Sequence, residues 1–396
     1  GTVYNQALDQ RAIGDGMWFI GSATNHVGAN GSYDASTLAP GLGNTYRLGA
    51  GGATLFVGSN GNQNVLTDYT CPTNLIVGAP MTVQNGGAWT TGTVVLLGSQ
   101  NFTGSTVVNR GSALDFRGTL TTSGIETYGI VNAAGEAGTF INPVTNANIP
   151  VTLRPGATLR FDNTSAGVLS LSATQGRWQD SVGINLNDNV LRLQGNAAVE
   201  VVETVGAIEA RNGGNRIDIV RGVVGRGTEL RTPSITRVGN GTIQFIHNGS
   251  QLGSDERVML TGPAPTVTNG MVAPWMVSNS DTQFITYNAD TGFTIAGFDA
   301  VHTGGTSTGT LNFTNNRLFF STAATVIGTG FDINAYAVRL DQNITLAAGA
   351  NNTTSANRLI LGSGGLISNG TRTITAGVWA GTGGLDELLL YNNGTT

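Results

Sequence analysis

The sequence predicts an all-β solenoid, a chain wound into short stacked coils. Three observations carry this reading. The stretch 94–117, V-V-L-L-G-S-Q-N-F-T-G-S-T-V-V-N-R-G-S-A-L-D-F-R, holds three strand-length runs divided by turns. An apolar run at 94–97 precedes a turn at 98–101. A second run at 106–108 precedes a turn at 109–111, and Ala113, Leu114, Asp115 and Phe116 then alternate. That is one coil's worth of chain, within the ~20–50 residue periods of repeat architectures. Second, similar runs separated by Gly or Asn recur along the chain every ~10–12 residues. Third, Gly accounts for 59 of 396 residues. A coil that bends about three times needs many residues able to take positive φ, which Gly and Asn do most readily.

The elements follow in order. Residues 14–22 and 43–58 give strand-length runs between glycines, with 17–20 read as an end strand or a cap. A strand is expected at 74–77 and a short piece at 88–89. After the opening coil come 125–131 and 139–141. Residues 151–154 and 157–161 form two strands divided by Pro155-Gly156, with Leu153, Leu159 and Phe161 inward and Arg154, Arg160 and Asp162 outward. This is the period-2 alternation of a half-buried strand. Further runs lie at 184–186, 190–193, 199–202, 207–208, 217–220 and 242–246, with Leu230 between the last two. Their spacing also suits a sandwich or barrel. Regular punctuation over nearly the whole chain, and runs too short for sandwich strands, favour the solenoid.

Residues 259–298 depart from the pattern. Pro263, Pro265 and Pro274 fall close together, and proline cannot sit in a central ladder. The segment reads as a small aromatic/Pro-rich excursion. Short strands resume at 311–313, 318–320, 338–340, 344–346, 359–361 and 388–390. The expected organisation is N-terminal coils over 1–93, central coils over 94–258, the excursion over 259–300 and C-terminal coils over 301–396. Coils of ~22 residues stacked ~4.8 Å apart would number ~18. Helical spacing is missing, apart from a turn near 203–210.

Composition bounds the function. The net charge is -5, and all 19 basic residues are Arg, so no basic surface is expected to hold a phosphate backbone. Cys71 is the single cysteine, which precludes an intrachain disulfide and a Cys/His metal motif. No apolar run approaches the ~18 residues of a membrane span. The first residues have neither the basic start nor the apolar core of an export signal. The expectation is a mature or trimmed piece of a longer precursor. A Lys-free, nearly Cys-free, Gly-, Asn- and Thr-rich chain suits an exported bacterial surface protein.

In the opening coil, Gly98, Asn101, Phe102, Thr103, Gly104, Thr106, Val108, Gly111 and Leu114 match the pattern L-x-G-x-N-x-Y/F-T-G-x-T-x-V-x-x-G-x-L. The stretch resembles the autotransporter-associated β-strand repeat. Residues 43–55, 152–159, 202–208 and 283–293 resemble other parts of the long surface proteins that carry this repeat. The resemblance implies a right-handed parallel β-helix passenger, exported and displayed or released. It implies no catalytic residue, and the β-barrel translocator of autotransporters is not visible in the sequence.

Candidate acids are Asp180, Asp188, Glu200, Glu203, Glu209 and Asp218. Glycoside hydrolysis needs two carboxyls flanking the bond, roughly 5–9.5 Å apart, and these acids form no Asp-Asp pair. Asp255-Glu256 and Asp386-Glu387 are adjacent and would face opposite sides of a strand. His26, His247 and His302 stand apart in sequence. A nucleophile elbow, a P-loop and the Gly-Gly-x-Gly-x-Asp calcium repeat are all missing. No cofactor is expected, and the one metal candidate is Ca²⁺ at the turn Asn187-Asp188-Asn189. Trp275, Phe284, Tyr287, Phe293 and Phe298 form either the core of the excursion or a contact surface for a neighbouring subunit or a glycan. The expected function is a non-catalytic extracellular structural or adhesive surface protein. Open coil ends expose unpaired backbone, so either the chain continues in a longer protein or copies assemble end-to-end or side-by-side into a filament or layer. The alternative is a polysaccharide-binding or polysaccharide-degrading protein.

Overall fold

The computed structural model describes residues 3–22, 30–58, 64–79, 92–134, 140–142, 144–164, 176–249, 251–280, 282–320, 323–347, 356–380 and 387–393. The chain is all-β with mostly parallel sheets. Among the described residues the one helical element is a 3₁₀ turn, Gln10–Ala12. Two compact units form, one from Gly1–Thr242 with Ser254–Pro263 and the other from Ile243–Gly253 with Ala264–Thr396. The expected pieces at 88–89 and 139 lie outside the described residues.

The first unit is organised by a long parallel ladder. It runs through Val3–Tyr4, Gly31–Tyr33, Thr54–Val57, Thr93–Leu96, Ala113–Phe116, Ile130–Ala133, Thr158–Asp162, Val190–Gln194 and Gly214–Val220. A second parallel ladder joins Ile20–Gly21, Thr45–Ala50, Asn74–Val77, Ser105–Val108, Gly124–Thr127 and Val151–Leu153. Two shorter ladders follow: Ile184–Asn187 with Ile208–Asn212 and Ile235–Arg237, and Val201–Thr204 with Thr228–Thr232 and Glu256–Leu260. The chain leaves the long ladder at Val190–Gln194, crosses Val201–Thr204 and Ile208–Asn212, and returns at Gly214–Val220. That path sets Gly214–Val220 beside Val190–Gln194 in parallel. The helical turn expected near 203–210 is two strands and the corner between them, because Val201, Glu203, Ile208 and Ala210 all bury on a period of two within their strands.

Register explains the alternation. Leu55, Val94, Leu114, Val131, Leu159, Leu191 and Ile217 follow one another in a single inward column. Val57, Leu96, Phe116, Ala133, Phe161, Leu193 and Ile219 form the next, and both columns are buried. Successive partners in the first column from Val94 to Ile217 are 20, 17, 28, 32 and 26 residues apart. The spacing between successive partners thus varies, since strands hold register while the segments between them differ in length. At one corner Phe140 packs edge-on against Phe116, Phe161 and Trp178, with centroids 5.0, 5.9 and 5.3 Å away. Polar side chains stack as well. Thr106 and Thr122 share a hydrogen bond of 3.1 Å, and the buried Asn215 side chain accepts from the Asn189 backbone N–H at 3.1 Å.

In the second unit Met276–Ser278 pairs in parallel with Thr242–His247. Gln283–Asn288 then pairs antiparallel with Met276–Ser278, and Gly292–Ile295 antiparallel with Gln283–Asn288. This antiparallel turn-back is where the sequence placed its excursion, and Pro263, Pro265 and Pro274 all lie outside strands. Parallel pairing resumes through Ala300–His302, Leu311–Phe320, Ile333–Leu340 and Arg358–Ser368. These last three are longer than the short strands expected. A register shift between Phe313 and Arg317, and another between Ala335 and Ala337, divides the longer strands into two pairing segments. Leu318, Ile333, Val338, Leu340, Leu359 and Leu361 centre the core.

Candidate functional site

Residues two apart on a strand share a face, and the acids of this chain use that geometry repeatedly. Arg160 pairs with Asp162 at 2.7 Å, Glu209 with Arg211 at 2.8 Å, Arg216 with Asp218 at 2.9 Å and Arg339 with Asp341 at 2.9 Å. Asp115 and Arg117 are 3.7 Å apart, and Glu229 pairs with Arg231 along its strand and with Arg257 one rung away.

Three of these pairs meet on the outer face of the long ladder. Asp115, Asn132, Arg160, Arg192 and Asp218 occupy one outward column on successive strands. Asp162 and Gln194 stand beside them in the next. The planar side chains, one rung or ~4.8 Å apart, cover one another. Asp162 therefore points outward as alternation requires, yet it is buried rather than exposed.

The burial divides the carboxyls. Burial pushes Asp218 and Asp115 above the usual carboxylate range, against the pull of Arg216 on the one and Arg117 on the other. Burial acts on Asp162 too, but hydrogen bonds from Thr164 and the charge of Arg160 outweigh it and hold the group below that range. Arg192 is treated differently from its neighbours. Its guanidinium donates to the neutral amide oxygen of Gln194 at 3.0 Å. Burial and the flanking Arg160 lower its basicity.

Inside the coils lie acids of another kind. Glu203 is fully buried, and its two oxygens accept the backbone N–H groups of Trp178 at 3.0 Å and Arg177 at 3.2 Å. Arg177 is itself buried, which pulls its basicity down to about 10 despite the nearby charge of Glu203. Glu256 accepts the Arg221 N–H at 3.0 Å from inside, while Asp255 takes the Arg221 side chain at 2.8 Å. The adjacent pair does face opposite ways.

The remaining sequence candidates scatter. Asp188 and Glu200 are exposed, and Asp188 takes positive φ in its turn. Burial raises the Asp180 carboxyl. In the turn 187–189, Asn189 accepts from Asn187 and donates to the Arg154 carbonyl at 2.7 Å, so its amide closes the turn and braces the neighbouring coil. His247 lies 3.4 Å from Ser278, and burial lowers His302. His26 and Asp386 lie outside the described residues. Among the described residues no group of three His, Cys, Asp or Glu is placed to hold a metal.

The five aromatics do not form one surface. Phe284 and Phe293 are buried, Phe293 stacking on Phe245 at 5.4 Å and meeting Tyr287 edge-on at 5.1 Å. Phe298 packs against the cluster that holds Phe284 and also stacks on Phe319 at 5.3 Å, with the Arg339 guanidinium over the Phe319 ring. Trp275 and Tyr287 are half-buried. A cleft of about 370 Å³ opens elsewhere, lined by Arg11, Asp15, Leu42, Asn44 and Tyr69. Arg11 lies flat over Tyr69 there while Asp9 holds it at 2.8 Å.

Sequence reasoning named Asp218 but missed Asp115, Asp162, Arg160, Arg192 and Arg216 as one constellation. The acid-x-Arg spacing was a usable signal for each pair. No family model, curated protein or solved structure matches this chain.

Proposed function

We propose that the chain is part of an exported bacterial surface protein, a right-handed parallel β-helix of the kind that carries autotransporter-associated repeats. Its role is non-catalytic, structural or adhesive, outside the cell. The observation that carries this reading is the pairing of acids with arginines two residues away on the same strand face. Charges used this way neutralise one another along a single strand and keep a β surface polar. The circuit through successive parallel ladders supports the helical winding, and parallel crossovers are right-handed in about 98% of cases. Ladder edges offer backbone groups to further strands, which suits association of copies into a filament or layer.

A polysaccharide-binding or polysaccharide-degrading protein is the second reading. It is favoured by the outer row, where Asp115 and Asp218 are pushed up and Asp162 is held down. Carboxyls driven apart in this way are a recurring acid–base arrangement. Electron microscopy of the native material, with a reducing-end assay on a panel of polysaccharides, separates the two. Regular fibres without cleavage support the structural reading. Cleavage that is lost in Asp218→Asn overturns it.

A further inference from the structure

We propose that the outer row on the long ladder binds a carboxylated polysaccharide, a polyuronate, with the Arg192 guanidinium taking a uronate carboxylate. This deepens the adhesive reading by naming the polymer held, and rests on it for its setting.

The row carries one cation more than it neutralises. Arg160 and Arg216 each have an aspartate two residues away, at 2.7 and 2.9 Å. Arg192, on the strand between them, has only Gln194. Among the described residues no carboxylate stands within ion-pair distance of it. Arg160 and Arg192 are direct register partners, and Arg192 is in turn the partner of Asp218.

The row also fails to satisfy itself. Asp115 Oδ1, Asn132 Oδ1, Arg160 Nε, Arg192 Nε and Asp218 Oδ1 each lack a hydrogen-bond partner within the protein. They fall on five successive strands of one column. Asn132 and Asp218 are 8% and 3% exposed, so these are desolvated groups and not solvated ends. Buried polar groups are normally paired, and a run of exceptions asks for an explanation. A polar polymer drawn onto the column, with these side chains turning out to meet it, would supply partners, since the ~4.8 Å rung spacing is close to the length of one sugar residue in an extended chain. The ends of the flanking guanidiniums remain accessible, with side chains 31% exposed at Arg160 and 44% at Arg216.

The ligand's charge follows from the surplus guanidinium. Its planar fork matches a carboxylate bidentately, and charge-assisted pairs of this kind are the strong ones. A neutral glucan would cover Arg192 without giving it an ion-pair partner, leaving only the more distant charges of Asp218 and Asp162.

The test is affinity electrophoresis or calorimetry of the full chain with polygalacturonate and alginate, and dextran as the neutral control. Wild-type protein is expected to bind the polyuronates and not dextran, more weakly as salt rises. Arg192→Gln should weaken polyuronate binding at least tenfold, and Arg192→Lys, which keeps the charge but loses the fork, by less. Arg372→Gln, an exposed arginine far along the sequence, should change nothing. Circular dichroism and the melting temperature establish that each variant is folded; if Arg192→Gln does not fold, the graded loss in Arg192→Lys decides. Binding of dextran with indifference to polyuronates would overturn the inference while sparing the adhesive reading. Polyuronate binding that Arg192→Gln and Arg192→Lys leave intact would place the site elsewhere and also overturn it. Failure to bind any polymer, with no fibres in the native material, would remove both.

Discussion

Glu203 reaches from one coil to the next inside the first unit, its Oε1 accepting the backbone N–H of Trp178 at 3.0 Å. The same carboxylate takes the N–H of Arg177, whose buried guanidinium feels its charge. Removing one member of a buried pair leaves an uncompensated charge, which costs about 3–5 kcal/mol. Glu203→Ala should therefore lose about that much in urea unfolding. Glu203→Gln, which keeps an acceptor, should lose less. Equal losses would show that the charge carries the whole effect and the acceptor adds nothing.

Acid sensitivity should trace in part to Asp332. It accepts from the Arg358 backbone at 2.9 Å and from its side chain at 2.7 Å. Burial acts to raise its pKa, but these bonds win and lower it. A folded value below the unfolded one means stability that is present above the ordinary carboxylate range and lost as pH falls through the folded value. Asp332→Asn should be less stable than wild type at pH 7. The gap should narrow steadily towards pH 3, as read from urea midpoints at each pH. A gap that stays constant with pH would contradict this account.

The aromatic set separates by burial. Phe284 is fully buried against Met271, Val277 and Ile367. Phe284→Ala should cost about 3–5 kcal/mol, the usual range for emptying a core aromatic site. Phe298→Ala removes a half-buried ring stacked on Phe319 and should cost about 0.5–1.5 kcal/mol beyond its lost area. Thermal denaturation of the two variants checks the order.

Close stacking of corners makes Gly118 sensitive. A Cβ there would sit 2.4 Å from the Ser99 nitrogen and 2.5 Å from the Gly98 carbonyl carbon, both backbone atoms of the preceding coil. Gly118→Ala should lower stability by about 1–3 kcal/mol, as overpacking does. Gly156 has φ +84° and nothing within 4 Å of a Cβ, so Gly156→Ala should cost only about 1 kcal/mol of backbone strain. A larger loss in Gly156→Ala than in Gly118→Ala would reverse the argument.

Much of the architecture can be read from the residues alone. Alternation in Ala113, Leu114, Asp115 and Phe116 assigns which side chains face inward, because a strand has a period of two. Turn chemistry at Pro155-Gly156 divides two strands, and Pro263, Pro265 and Pro274 fall outside strands, as their missing N–H requires. An acid and an arginine two residues apart likewise fix several of the ion pairs locally.

What only the tertiary structure decided is which rung meets which. Coils of 17 to 32 residues carry no constant period that would align Asp115 with Asn132, or Arg192 with Asp218. Corners of different length are invisible to the strands they connect, yet backbone pairing forces the strands into register. That register creates the outer row, buries Asp162 on a face that alternation alone would call exposed, and brings Glu203 under Trp178. It also brings Phe298, past the turn-back, against the cluster that holds Phe284, while Phe293 stacks on Phe245. Strand identity and facing were local properties and were written in the residues. The meeting of side chains from distant coils was not, because it depends on the length of chain between them.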